Sequence, residues 1–211
     1  MRILCYGDSN TWGYNPVDAT RYNKRWTKEL ARLLPEDEII EEGLNGRTFS
    51  SDDPEWPGRN GLDVLPVLLR THRPLDLVIV MLGSNDLKKF FSTTEEKLVS
   101  ALNITIDTIR NENLAIPYAV PSVLVVAPVL LGDSIITTSK WADVFNKNSL
   151  LLSRRTSELF RQVSNRRKTF FCDASEIAHP SDYDALHLDE ENHLRLAEAL
   201  AAEINTFREN I

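Results

Sequence analysis

Cysteine is scarce: of 211 residues only Cys5 and Cys172 carry a thiol, and each sits inside an apolar run, RILCY and TFFCDA. A free thiol in such a setting behaves as a small hydrophobe, so neither a disulfide nor a metal site is expected. No apolar run approaches the roughly 20 residues that span a bilayer, and no signal-peptide core precedes the first apolar run. The expectation is a cytoplasmic protein with no membrane partner. Clustered positive charge is lacking too. The net charge is −7, and the longest basic cluster, Asn165-Arg166-Arg167-Lys168, is short and reads as a solvated helix end. Phosphate backbones are bound by dense Lys and Arg, so nucleic acid is not an expected partner. No Ser/Gly/Pro-rich break divides the chain, and its length suffices for one sizeable core, so a single domain over 1–211 is expected.

What the sequence does contain is an alternation of two patterns. Short apolar runs read as buried strands at 3–6, 38–42, 77–82, 123–129 and 169–173. Between them lie amphipathic segments carrying Trp26, Leu30, Leu33 and Leu34; Leu62, Leu65 and Leu69; Leu98, Leu102, Ile106 and Ile109; a stretch from about Trp141 to Val163; and Leu194, Ala197, Leu200, Ala201 and Ile204. Spacings of three and four put these groups on one helix face each. Apolar strands alternating with helices imply a five-stranded parallel sheet covered on both faces, an α/β class, three-layer α/β/α sandwich.

In such sheets sites collect beyond the carboxyl ends of the strands. GDSNTWG follows the first strand, EEGLNGRTF the second and GSNDLKK the third, while DYDALHLDEENH precedes the last helix. A serine nucleophile needs a base, a group that orients the base, and donors aimed at a developing oxyanion. Ser9 is the candidate nucleophile and His187 the candidate base. Asp184, three residues before it, is close enough to fix its tautomer. The Asn85 amide and the backbone N–H groups of Ser9 and Gly46 are the candidate oxyanion donors. From the residues alone, this is a plausible hydrolase and no more.

Gly7-Asp8-Ser9, Gly46 within GLNGRT, Gly83-Ser84-Asn85-Asp86 and Asp184-Ala185-Leu186-His187 resemble, in order, the four blocks of the SGNH, or GDSL-type, hydrolase superfamily. ILCYGDSNTWGYNP, IIEEGLNGRTF, DDP, VLPVLLRTHRPLDLVIVMLGSNDLK and VLVVAPVLL extend the resemblance over most of the chain, toward an arylesterase and acyltransferase branch. The resemblance implies a flavodoxin-like SGNH fold and hydrolysis of small short-acyl or aryl esters by a Ser9, His187, Asp184 triad, with Ser9, Gly46 and Asn85 as oxyanion hole. It also implies no cofactor, acyl transfer to alcohols in some members, and assembly into homo-oligomers. Asp8 is then structural and pins the turn. Two positions depart from the pattern: Asn10 stands where the family has leucine and is expected to alter only the packing of the turn, and Ser84 replaces a frequent threonine.

Other readings compete. A second GDS, Gly132-Asp133-Ser134, lacks the companion blocks. Asp182, Asp184, His187, Asp189 and His193 hold metal-ligand chemistry but match no ligand spacing, so no metal is expected; with one, the chain would be a metal-dependent phosphoesterase. SNTWG at a strand-to-helix turn is also compatible with a phosphate- or flavin-binding module. Trp12 is the expected substrate-binding residue, with Tyr14 a further wall. Arg47 is expected to brace the Gly46 loop through carbonyls or the carboxylates of Asp8 or Asp86, His193 to lie on the last helix as a surface or packing group, and Glu41 to face solvent.

Overall fold

The fold is a computed structural model that describes residues 1–112 and 117–209. Five strands, β1 (Arg2–Gly7), β2 (Glu38–Gly43), β3 (Leu77–Met81), β4 (Ser122–Ala127) and β5 (Phe170–Asp173), pair in parallel in the order β2-β1-β3-β4-β5. The central strands bury both faces, which is why they read as continuous apolar runs. Leu4, Tyr6, Val78 and Val80 point into one core; Ile3, Cys5, Leu77 and Ile79 point into the other.

Among the described residues six α-helices pack around the sheet: α1 (Ser9–Trp12), α2 (Trp26–Leu33), α3 (Gly61–His72), α4 (Glu95–Asn111), α5 (Lys147–Arg167) and α6 (Glu190–Glu209). Leu65 and Leu69 of α3, Leu98, Leu102 and Ile106 of α4 and Phe160 of α5 fill the first core. Trp26 and Leu30 of α2 with Leu196, Leu200 and Ile204 of α6 fill the second. Fully burying each such side chain is worth roughly 1.5–3 kcal/mol. The three layers and the parallel sheet are as the sequence predicts.

Strand order reverses between β1 and β3, which lie side by side although β2 separates them in sequence. The crevice beyond their carboxyl ends is the expected place for a ligand. Ser9 follows β1 and Asn85 follows β3 across that crevice.

Element boundaries moved where local chemistry overrides periodicity. The helix read from Trp141 begins only at Lys147, because the Asn146 side chain accepts from the Ser149 N–H and the Ser149 hydroxyl accepts from the Asn146 N–H, a capping box that sets the first turn. Residues 141–144 form turns and 145–146 are irregular, and Trp141, Val144 and Phe145 wall the crevice. Both cysteines are free and buried; burial pushes the Cys172 thiol up to about 12 and raises that of Cys5 as well. Among the described residues no helix is long and apolar enough to cross a membrane.

Candidate active site

Ser9 opens α1, a single helical turn set on the end of β1. Asp8 caps it, its carboxylate accepting from the Asn10 N–H at 3.0 Å, and Gly13 closes it at φ 87°. Gly43 at the end of β2 packs against that turn so closely that a Cβ there would lie 2.2 Å from the Trp12 nitrogen. The turn therefore holds Ser9 rigidly at the lip of the sheet.

The Ser9 hydroxyl lies 2.9 Å from His187 Nε2. On the other side of the ring, Nδ1 lies 2.6 Å from Asp184 Oδ2. This Asp184 oxygen also accepts from Trp141 Nε1 at 3.0 Å, while Oδ1 accepts from the backbone N–H groups of Leu186 and His187 at 3.1 and 3.0 Å. Burial opposes ionisation of Asp184, yet the His187 hydrogen bond and charge, its N–H and Trp141 hold the carboxyl down at about 2. An ionised, four-times-bonded carboxylate keeps the proton on Nδ1 and leaves Nε2 able to accept from the serine.

The segment that carries His187 is bent sharply. Ala185 sits at φ 60°, a conformation unusual for a residue with a side chain, and Gly132 N–H donates to its carbonyl at 2.9 Å. A Cβ on Gly132 would lie 2.9 Å from that of Ala185. The second GDS thus contributes its glycine as a seat for the His187 segment, while Ser134 is not among the residues lining the site. Ser139 Oγ adds a hydrogen bond to the Asp184 carbonyl at 2.7 Å. Tyr14 and Trp141 flank the imidazole, with ring centroids 4.5 and 6.1 Å away.

Ser9, Gly46, Asn85 and His187 line one cavity of about 150 Å³. A cavity of that order accepts a benzene-sized group. Tyr14, Trp56, Phe90, Trp141 and Leu186 supply apolar walls. Gly46 needs to be glycine twice over: its φ is 81°, and a Cβ would lie 2.9 Å from the Trp56 ring that lies against it. Trp56 is fixed from several sides. Asp53 Oδ1 accepts from the N–H groups of Glu55 and Trp56, and Asp53 Oδ2 accepts from Lys88 Nζ at 2.8 Å. Lys88 Nζ and the Arg59 guanidinium sit 5.4 and 5.6 Å from the indole ring. Sequence reading missed both Trp56 and Lys88, because the position of the indole follows from an ion pair between distant loops.

Trp12 is not brought to this cavity. Its ring lies under the Arg21 guanidinium at 5.3 Å and its carbonyl accepts from Arg21 Nε at 2.6 Å, which turns it away from the crevice. Tyr14, two residues on, takes the wall position.

Around this centre lie buried acids. Asp8, bonded also to Asn85 Nδ2 at 3.4 Å, is raised to about 6 by burial, offset in part by the Asn10 N–H and the charge of His187. Asp86 accepts from the Phe49 N–H through both oxygens at 3.0 and 3.1 Å, and burial raises it to about 7. Arg47 braces the site through carbonyls, those of Gly7 (2.9 Å) and Glu42, with its guanidinium 4.4 Å from the Tyr6 ring. It does not bond to Asp8 or Asp86. His193 is a packing group: fully buried, its Nδ1 accepts from the Trp26 N–H at 3.3 Å and starts α2, and burial lowers it to about 3. Glu41 does not face solvent freely either, since Arg25 and Thr27 each bond to it at 2.5 Å. Among the described residues no three His, Cys, Asp or Glu side chains converge to hold a metal ion.

The GDSL-like lipase/acylhydrolase family model matches residues 5–197. No curated protein matches the sequence. Among solved structures, Est24, a carbohydrate acetylesterase from Sinorhizobium meliloti, is 35% identical, with 98% of this chain and 99% of that one covered at a TM-score of 0.91. The aryl esterase of M. smegmatis is 34% identical, with 97% and 98% covered and a TM-score of 0.91. A member of the lipolytic G-D-S-L family from Veillonella parvula, 13% identical at a TM-score of 0.66, shares the fold. With the family model spanning most of the chain and solved relatives superposing on nearly all of it, the protein belongs to the GDSL-like lipase/acylhydrolase family of the SGNH fold and is a carboxylic ester hydrolase.

Proposed function

We propose that the protein hydrolyses small short-acyl or aryl esters through an acyl-enzyme on Ser9. The observation that carries this reading is the unbroken chain from Ser9 Oγ to His187 to Asp184, at 2.9 and 2.6 Å, opening on a cavity of about 150 Å³. His187 Nε2 takes the Ser9 proton as Oγ attacks the ester carbonyl, and returns it to the leaving alcohol as the C–O bond breaks. Water then attacks the acyl-serine by the same route in reverse, releasing the acid and restoring Ser9. Asp184 steadies the imidazolium in both halves.

The negative charge on the tetrahedral oxygen is held by the Ser9 and Gly46 N–H groups and the Asn85 amide, all at the cavity. One Asn85 N–H is committed to Asp8, which orients the other. The size and aromatic walls of the cavity favour acetyl to short aryl groups, and the activities named for the two similar structures, carbohydrate acetylesterase and aryl esterase, fit that range. Because deacylation needs only a nucleophile on the open side of the acyl-serine, an alcohol can take the place of water and give transfer. A panel of p-nitrophenyl esters from acetyl upward, with and without an added alcohol, tests both: activity concentrated at the short chains and unaffected by Ser134→Ala is expected, and a maximum at long acyl chains overturns the assignment.

A further inference from the structure

Asn10, the residue that departs from the leucine of the family pattern, makes contacts that the chemistry just described does not use. Its side chain is buried, and its two ends reach different backbone groups of the distant His187 segment. Nδ2 donates to the Leu186 carbonyl at 3.2 Å and Oδ1 accepts from the Leu188 N–H at 2.9 Å. These two groups flank His187 on either side. Asn10 is itself fixed, since its own N–H donates to Asp8 Oδ1 at 3.0 Å. It directly follows Ser9.

We propose that Asn10 is a positioning residue that sets the register of His187 on Ser9, its amide pairing with the His187 segment as a neighbouring strand would. The inference rests on the triad reading above. The segment needs such a tie, because Ala185 holds it in a strained left-handed turn and Leu186, His187 and Leu188 are all buried. A leucine at position 10 fills similar volume but offers neither donor nor acceptor, leaving a buried carbonyl and a buried N–H without partners. The nucleophile and the base, 178 positions apart, thus meet through one bond between their own side chains and two from the residue beside Ser9.

The test is a double-mutant cycle read as the rate of acyl-enzyme formation from p-nitrophenyl acetate. It uses wild type, Asn10→Ala, Asn10→Leu and Asn10→Asp, each alone and in the His187→Ala background, with Ser9→Ala as reference and urea denaturation to verify folding. A displacement of about 1 Å costs roughly 100-fold, so Asn10→Ala and Asn10→Leu should lower kcat by about 10- to 100-fold with KM little changed. Asn10→Asp, which keeps the acceptor, should recover part of the loss. In the His187→Ala background the same changes should do nothing further. Equal losses in both backgrounds, or full kcat in a folded Asn10→Leu, overturn the proposal alone. Retained activity in Ser9→Ala or His187→Ala overturns the triad reading on which it stands.

Discussion

Replacing Asp184 by Asn keeps the shape of the buried side chain and reverses the polarity of one end. All four hydrogen bonds to this carboxylate come from donors: His187 Nδ1 and Trp141 Nε1 on Oδ2, and the N–H groups of Leu186 and His187 on Oδ1. An asparagine amide must face one of these pairs with its own N–H groups. Facing the ring, it forces the His187 proton onto Nε2, which then donates to Ser9 instead of accepting from it; this loss of the working tautomer costs about 10⁴ in kcat. Facing the backbone, it leaves two buried N–H groups unpaired, at about 1–3 kcal/mol each. The carboxyl is held at about 2 against an ordinary 3.8, and at about 1.4 kcal/mol per tenfold this is worth about 2 kcal/mol of folding stability. A depressed folded-state value means that this contribution is present above about pH 4 and fades as pH falls toward 2. Urea denaturation of wild type and Asp184→Asn from pH 2 to 7, with kcat on p-nitrophenyl acetate at pH 7, should show a stability gap that narrows by about 2 kcal/mol toward pH 2, and a rate loss near 10⁴. A gap that widens on acidification, or a rate within tenfold of wild type, refutes the reasoning.

Asn85→Ala should lower kcat by about 100- to 1,000-fold with a smaller change in KM, read from steady-state kinetics, because an oxyanion donor acts mainly in the transition state; a loss confined to KM contradicts that role. Asp8→Asn probes the opposite sign of linkage: burial raises the Asp8 carboxyl to about 6, so the folded state holds its proton longer than the unfolded chain. Wild-type stability relative to the variant should fall by up to about 3 kcal/mol between pH 4 and 6 and stay level above it, and a rise across that window would show the carboxyl is not perturbed upward. Trp56→Ala opens the wall that lies against Gly46, so kcat/KM should shift toward bulkier acyl or aryl esters in the p-nitrophenyl series; an unchanged preference places the specificity wall elsewhere.

The sheet was legible because parallel strands bury both faces and so carry uninterrupted apolar runs, as in Leu77–Met81. The alternation of elements implied the parallel sheet, whereas its order, and with it the crevice between β1 and β3, was implied only by the resemblance to a flavodoxin-like fold. Side-chain partners were legible only where they are near in sequence or held in a familiar block, as with Asp184 and His187. Trp141 was taken for a helix position because its apolar spacing continues into α5; its bond to Asp184 arises only when a capping box starts that helix six residues later. Trp12 was misplaced since aromatic character and proximity to Ser9 say nothing about which way a four-residue helix turns its side chains. Asn10 looked like a packing change because both its partners lie about 180 positions away. Trp56 depends on Lys88 and Asp53 meeting across two loops, a contact no local pattern encodes.

The central claim is that Ser9 carries the acyl group. Intact-mass and peptide mass spectrometry of enzyme quenched early in turnover of p-nitrophenyl acetate tests it most directly, with Ser9→Ala and Ser134→Ala alongside. The account predicts one acetyl group on the peptide bearing Ser9, formed with a burst of p-nitrophenol, present in Ser134→Ala and absent in Ser9→Ala. An acetyl group on any other residue at the burst stoichiometry, or a burst that survives in Ser9→Ala, would contradict it.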